Sequence, residues 1–251
     1  MFDLHLHLPL QGSQLDQTPK PWYGMICTSK PSEWPQIIAF SQNRPDVTGA
    51  IGILPEMMDD TAGACVLDEM TERLENDIDL QIGEVGLDRR FQTTVPMDRQ
   101  QEFLSKTLHL GYRLGRSVSL HVVQAEGPLF ETLEQQRGKM PRLLWHGYTA
   151  SMETAKRFIK LGGTISLGPS VWRPGLKLTQ RLQELRDYPL AVETDWPGGW
   201  LPQEWRGLPY PDILRNHMKR LATAMEIPIE QLEERTHAIG TLFTHQPTSW
   251  R

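Results

Sequence analysis

The chain has 251 residues, 39% hydrophobic and 23% charged, with a formal net charge of -5. That length carries a substantial core, no apolar run approaches a membrane span, and a protein that wraps long duplex nucleic acid would be basic. The acidic balance therefore confines any nucleic-acid contact to a local, metal-assisted one. Only two cysteines, Cys27 and Cys65, point to a reducing cytoplasm rather than a disulfide scaffold. With Met1 leading straight into a strand, no secretory leader is expected.

The first eight residues, Met1-Phe-Asp-Leu-His-Leu-His-Leu8, alternate polar and apolar, the mark of a β-strand. Asp3, His5 and His7 share one face, and the two imidazoles stand about 7 Å apart along it. A polar stretch from Pro9 to Pro21 reads as a loop. Strands are expected at 23–28, 47–54, 79–85, 117–123, 142–146, 163–167 and 189–195. Helices are expected at 34–41, 65–74, 97–114, 129–136, 151–161 and 178–186. The helix at 151–161 would open on a capping Ser151 and close on Gly162-Gly163. A Trp-, Pro- and Gly-rich loop from Trp196 to Pro211 precedes two last helices, at 212–225 and 229–243. Eight strands alternating with helices predict an α/β fold of the (β/α)8 TIM-barrel type, as one domain over residues 1–251.

In such a barrel the active site lies at the C-terminal ends of the strands. His5 and His7 end the first strand, Glu84 the fourth, His146 the sixth, and Glu193 with Asp195 the eighth, while His121 lies in the fifth. Five strand ends bearing metal-type donors can hold two divalent ions bridged by a central carboxylate, and Glu84 is the natural bridge. Imidazoles suit zinc, manganese, iron or nickel, and magnesium prefers an all-oxygen shell. The identity stays open among divalent ions, with zinc, manganese and magnesium as the working set. His109, His217, His237 and His245 fall on helices or the tail and read as structural or solvated. Gly162-Gly163 and Gly198-Gly199 read as turns, since neither has phosphate-loop spacing.

These residues carry a family resemblance. The segments Asp3-Leu-His-Leu-His-Leu8, Ile82-Gly-Glu-Val-Gly-Leu-Asp88, Leu120-His121, His146-Gly-Tyr-Thr-Ala-Ser151 and Val192-Glu-Thr-Asp-Trp-Pro197 resemble those of the TatD-like metal-dependent hydrolases, barrel deoxyribonucleases of the amidohydrolase-type superfamily. Gly162-Gly-Thr-Ile-Ser166 and Thr241-Leu-Phe243 also fit. The resemblance implies that His5, His7, Glu84 and Asp195 hold one metal and that Glu84, His121 and His146 hold the other. Glu193 is then a supporting group or the ligand of a further, weaker metal. Related amidohydrolases often bridge their metals with a modified lysine, so a glutamate in that role leans toward phosphoester chemistry.

Some positions depart from the family pattern. Leu54 stands where a histidine is usual, Val123 where an arginine is frequent, and Trp196 where the metal-binding aspartate is normally followed by alanine. The loop after the first strand lacks the usual first helix. Every metal ligand is kept while positions expected to touch substrate have changed. The expectation is metal-dependent hydrolysis of a phosphoester at single-stranded DNA ends, with Asp195 as base and Glu84 as bridge. Arg89, Arg90 and Arg173 are candidates to replace the lost phosphate contacts, and Trp172 and Trp196 to stack on bases. A charged loop is the commoner fate of such an arginine pair, and the tryptophans of the 196–205 segment are equally readable as barrel-rim packing. One alternative is amidohydrolase-type hydrolysis of a small molecule. Divergent family members stand beside antiviral defence genes, so the other is a weakly active, metal-loaded binding subunit with protein partners in a defence complex.

Overall fold

In the computed structural model, which describes residues 1–8, 20–58 and 63–244, eight parallel strands form one sheet whose spatial order is the chain order. They are β1 (Phe2–Leu6), β2 (Tyr23–Cys27), β3 (Val47–Ile53), β4 (Gln81–Asp88), β5 (Val118–Val123), β6 (Leu143–Trp145), β7 (Thr164–Leu167) and β8 (Leu190–Val192). The helices are α1 (Trp34–Gln42), α2 (Gly63–Asn76), α3 (Met97–Leu114), α4 (Glu126–Gln135), α5 (Met152–Lys160), α6 (Tyr210–Met225) and α7 (Ile229–Thr244). Parallel neighbours joined in sequence through returning helices are the (β/α)8 TIM-barrel class. The expected loop at 9–21 lies largely outside the described residues, as does His245. Among the described residues no helix is long and apolar enough to cross a membrane.

By internal contacts the chain divides into two compact units. The first comprises residues 1–26 and 146–242. Here β1 pairs with β2 (Phe2 opposite Tyr23, Leu6 opposite Ile26) and β7 with β8 (Ile165 opposite Leu190, Leu167 opposite Val192). Every residue of β1 is buried, the polar face included: Asp3 and His5 expose nothing. Strands of parallel sheets are covered on both sides, so alternation marks which side a residue faces, not which side meets water. Helix α5 begins as expected, the Ser151 hydroxyl accepting from Thr154 N at 3.1 Å.

The second unit comprises residues 27–145 with the C-terminal stretch from Phe243. Its strands pair β3 with β4 (Ile53 opposite Val85), β4 with β5 (Gly86 opposite His121) and β5 with β6 (Leu120 opposite Trp145). At Gly86 a Cβ would stand 1.8 Å from the His121 carbonyl oxygen, so only glycine allows β4 and β5 to approach this closely. Buried Arg116 satisfies carbonyls at the end of α2 and just beyond it, donating to Leu74 O at 2.7 Å and Ile78 O at 2.6 Å. Helix α3 has the predicted bounds and ends at Gly115, whose φ of 69° is left-handed.

Three expectations need correction. The helix expected at 178–186 is a 3-10 run over Lys177–Leu185, broken where Arg181 takes a non-helical φ of -124°. Leu178, Leu182 and Leu185 still bury their side chains, so core contact is kept without α-helical hydrogen bonding. Strand β4 runs on through Asp88, and β8 stops at Val192 rather than at Asp195. The second change follows from Asp195 itself, whose φ of 53° no strand can accommodate.

His217 on α6 is structural, as read from sequence. It is fully buried, its Nδ1 accepts from Trp172 Nε1 at 3.0 Å, and its Nε2 lies 2.8 Å from Leu167 O. Burial pushes its pKa down from 6.5 to about 4, the Leu167 carbonyl opposing this and Arg220 adding to it. The unfolded chain thus binds a proton that the folded one refuses, so stability is full above pH 6.5 and is lost as pH falls toward 4. We expect this residue to account for about 2 kcal/mol of the stability lost between pH 7.5 and 5. Denaturant unfolding at both pH values checks it. A His217→Gln variant with an unaltered pH dependence would contradict it.

Candidate functional site

The first unit brings together five of the residues singled out from sequence. The His5 ring, on β1, stacks on that of His146, just past β6, with centroids 3.8 Å apart and planes 9° from parallel. His7 meets His5 edge-on at 5.1 Å, and its Nε2 lies 3.3 Å from Asp195 Oδ1. Donor atoms of His5, His146 and Asp195 all lie within 4.8 Å of one another, close enough to share one ion. Two imidazoles and a carboxylate fit zinc or manganese better than a hard cation that prefers an all-oxygen shell. His5 is fully buried and Asp195 half-buried, so water reaches the group from the aspartate side.

Two features keep Asp195 in place. Its amide donates to His5 O at 3.0 Å, and Gly199 N donates to its carbonyl at 2.6 Å. A Cβ on Gly199 would come within 2.9 Å of Asp195 atoms, so the Gly198-Gly199 turn expected from sequence is what lets the chain fold back over the aspartate. Glu193 is fully buried. Its Oε1 accepts from Gly147 N at 2.6 Å and lies 3.7 Å from His146 Nδ1, while its Oε2 is buried without a hydrogen bond. Burial raises its pKa, and the His146 contact works against that rise.

The second unit holds Glu84 and His121 on adjacent strands, with His121 Nδ1 3.5 Å from Glu84 Oε2. Ser29 Oγ donates to Glu84 Oε1 at 3.4 Å. The other nitrogen of His121, Nε2, lies 3.0 Å from Asp88 Oδ2. Asp88 is a partner that inspection of ligand types missed. It was legible in one respect: 84, 86 and 88 share the parity of one strand face. Burial alone would raise its pKa, yet hydrogen bonds from His121 and Arg90 outweigh that and hold it well below the carboxylate range. Gln100 on α3 fixes the Asp88 backbone, accepting from its N at 2.7 Å and donating to its O at 3.1 Å. An ionised carboxylate only accepts, so His121 Nε2 carries the proton and Nδ1 keeps the lone pair that a metal needs.

The expected substrate contacts fare differently. Arg90 is not a spare cation: its guanidinium grips both Asp88 oxygens, with Nη2 to Oδ2 at 2.5 Å. Arg89 donates to Gln124 O at 2.7 Å from an exposed position. Arg173 is exposed and sits over the Trp200 ring at 5.8 Å. The expectation that Trp172 stacks on a base needs correction. It is 8% exposed, with Arg220 4.4 Å above its ring and its indole nitrogen given to His217. Trp196 is partly exposed and packs on Tyr210 at 5.3 Å. Asp3, which shares the face of His5, accepts from the amide and hydroxyl of Thr194 and from Tyr210 OH. Burial raises its pKa to about 7, those hydrogen bonds opposing the rise.

Comparison with known proteins agrees with this geometry. A family model described as TatD related DNase matches residues 2–243. The chain is 27% identical over 209 residues to an uncharacterized metal-dependent hydrolase of Escherichia coli K12, YjjV, covering 78% of each protein. It is 25% identical over 261 residues to an uncharacterized metal-dependent hydrolase of Haemophilus influenzae, covering 94% of this chain and 95% of that one. The crystal structure of the Escherichia coli K12 TatD homologue YjjV superposes with a TM-score of 0.83 at 22% identity, over 98% of each chain.

Proposed function

Because this chain belongs to the family of TatD related DNases, and is a metal-dependent hydrolase by that membership, we propose that it hydrolyses phosphoesters at single-stranded DNA ends. The observation that carries the reading is the His5, His146 and Asp195 group, whose donors lie within 4.8 Å of one another, close enough to serve one ion or two adjacent ones, while Asp195 stays within reach of water. We take the chain as one catalytic domain over residues 1–251, acting in the cytoplasm, where its free thiols Cys27 and Cys65 fit a reducing setting.

In this reading His5, His7, Glu84 and Asp195 would hold one divalent ion, and Glu84, His121 and His146 a second. Bound there, the ions supply Lewis-acid stabilisation of charge on the phosphoryl oxygens. Asp195 orients the attacking water and accepts its proton, and the neighbouring His7 imidazole steadies the carboxylate. Glu193 holds Gly147 and faces His146, which favours an orienting role over that of a third metal's ligand. Trp196 remains the candidate for stacking on a terminal base.

Arg89 and Arg173 are the proposed phosphate contacts. Their alanine variants should raise KM on a short single-stranded DNA and flatten its salt dependence, with metal content unchanged. Arg90→Ala should also disturb Asp88, and so lower metal content. Kinetics across a salt series, with metal analysis, checks this. Unaltered KM in both Arg89→Ala and Arg173→Ala would remove the contacts.

The deciding experiment loads the purified protein with zinc, manganese, magnesium or nickel in turn. Each form is assayed on end-labelled single- and double-stranded DNA, RNA, a phosphodiester ester, and cyclic amides and lactones. Metal-dependent release of nucleotides from single-stranded DNA ends is expected. Hydrolysis of a cyclic amide or lactone alone would overturn the phosphoester reading in favour of amidohydrolase chemistry. Metal uptake without turnover of any substrate would instead favour a metal-loaded binding subunit of a defence complex, as the changed Leu54 and Val123 positions would suit.

A further inference from the structure

We propose that Asp3 and Tyr210 are positioning residues that act through Thr194 to hold the Asp195 peptide in its left-handed turn and so aim the Asp195 carboxylate. The inference rests on the reading of Asp195 as ligand and base. Asp3 is fully buried, and all four lone-pair positions of its carboxylate are filled. Oδ1 accepts from Thr194 N at 3.0 Å and His5 N at 3.3 Å; Oδ2 accepts from Thr194 Oγ1 at 2.6 Å and Tyr210 OH at 2.9 Å. The Tyr210 oxygen in turn accepts from Trp22 Nε1 at 2.9 Å. A chain of four side chains thus runs from Trp22, ahead of β2, through α6 and β1 to the residue before Asp195.

Thr194 passes that anchor on to the turn that follows it. Its hydroxyl donates to Asp3 and accepts from Trp196 N at 3.2 Å, closing a small turn from residue 194 to residue 196 around Asp195. Inside that turn Asp195 has a φ of 53°, where a non-glycine residue stays only if its surroundings over-determine it. Tyr210 touches both flanks of the turn, through the Asp3 carboxylate on one side and the Trp196 ring on the other. Asp3 reaches the Asp195 backbone by two routes: through His5, whose N donates to Asp3 Oδ1 and whose O accepts from Asp195 N at 3.0 Å, and through Thr194, whose side chain also closes the turn onto Trp196 N.

The test uses Thr194→Val, which keeps shape but removes the hydroxyl, and Thr194→Ser, which restores it, beside Asp3→Asn and Tyr210→Phe. Two quantities are read: the backbone φ at residue 195 in metal-free crystals, and zinc affinity by competition with a chromophoric chelator. Thr194→Val and Asp3→Asn should lose zinc affinity by about 10- to 100-fold, the range for groups that orient ligands, and residue 195 should leave the left-handed region. Thr194→Ser should restore both, and Tyr210→Phe should fall between. An unchanged turn or an unchanged zinc affinity in Thr194→Val would overturn the inference, and that variant decides if Asp3→Asn does not fold. Should the wild-type protein take up no zinc, the metal reading falls, while the turn at residue 195 in Thr194→Val still decides the inference.

Discussion

Asp195→Asn should lower turnover of the best substrate by about 10²-fold or more, with a smaller change in substrate affinity. Asparagine is nearly the same shape and keeps an oxygen at the ligand position, so the turn around residue 195 should survive. It loses the negative charge and the ability to accept a proton. His7 Nε2, 3.3 Å from Asp195 Oδ1, loses its anionic neighbour as well. Single-turnover kinetics on end-labelled DNA, at saturating metal, separates this from a simple loss of metal. If the asparagine variant cleaves near the wild-type rate with full metal content, Asp195 is not the base. Glu193 would be a poor substitute, since it is fully buried and one of its oxygens is given to Gly147.

The second large effect is expected at a residue that is not a ligand. On the proposed ligand set, Asp88→Asn should weaken metal binding through His121 by about 10- to 100-fold. In the wild-type chain the ionised Asp88 can only accept, so His121 is protonated on Nε2 and offers Nδ1 on the side of Glu84. An asparagine amide can present its NH₂ to Nε2, moving the ring proton to Nδ1 and closing the ligand position. The same change removes the counter-charge that Arg90 grips, leaving a half-exposed cation to find another partner. Nitrogen-15 NMR of the metal-free protein reads the His121 tautomer directly, and mass-spectrometric metal analysis reads the consequence. An Nε2-protonated His121 in Asp88→Asn, with normal metal content, would show that Asp88 serves only the fold.

Much of the architecture was legible in local pattern. The alternation Asp3-Leu-His-Leu-His7 identified a strand and put both histidines on one side of it. The apolar spacing of residues 97–114 marked a helix whose bounds the structure reproduces. Ser151 announced the cap it makes. Period and capping are properties of neighbours in sequence, so sequence can carry them. The run at 177–185 shows the limit: its leucine spacing is that of an α-helix, yet the backbone breaks at Arg181, which is paired with Glu184 and with Glu153, 28 residues away.

The same division holds for the site. Which residues can ligate a metal is a matter of side-chain type and strand parity, and His5, His7, Glu84, His121, His146, Glu193 and Asp195 stood out as candidates from those. Parity also put Asp3 beside the histidines and Asp88 beside Glu84, but it could not tell a ligand from a group that serves one. That distinction depends on which distant atom fills each carboxylate lone pair. For Asp3 it is Thr194, 191 residues away, and Tyr210, 207 away; for Asp88 it is His121, 33 away. Likewise Arg90 and Trp172 have the chemistry of substrate contacts, and only the folded chain shows their charge and ring already engaged by Asp88 and Arg220. Sequence determined the donors and the strands that carry them. Tertiary structure decided the rest, because a hydrogen bond is a statement about distance, and only folding brings residues so far apart in the chain within 3 Å.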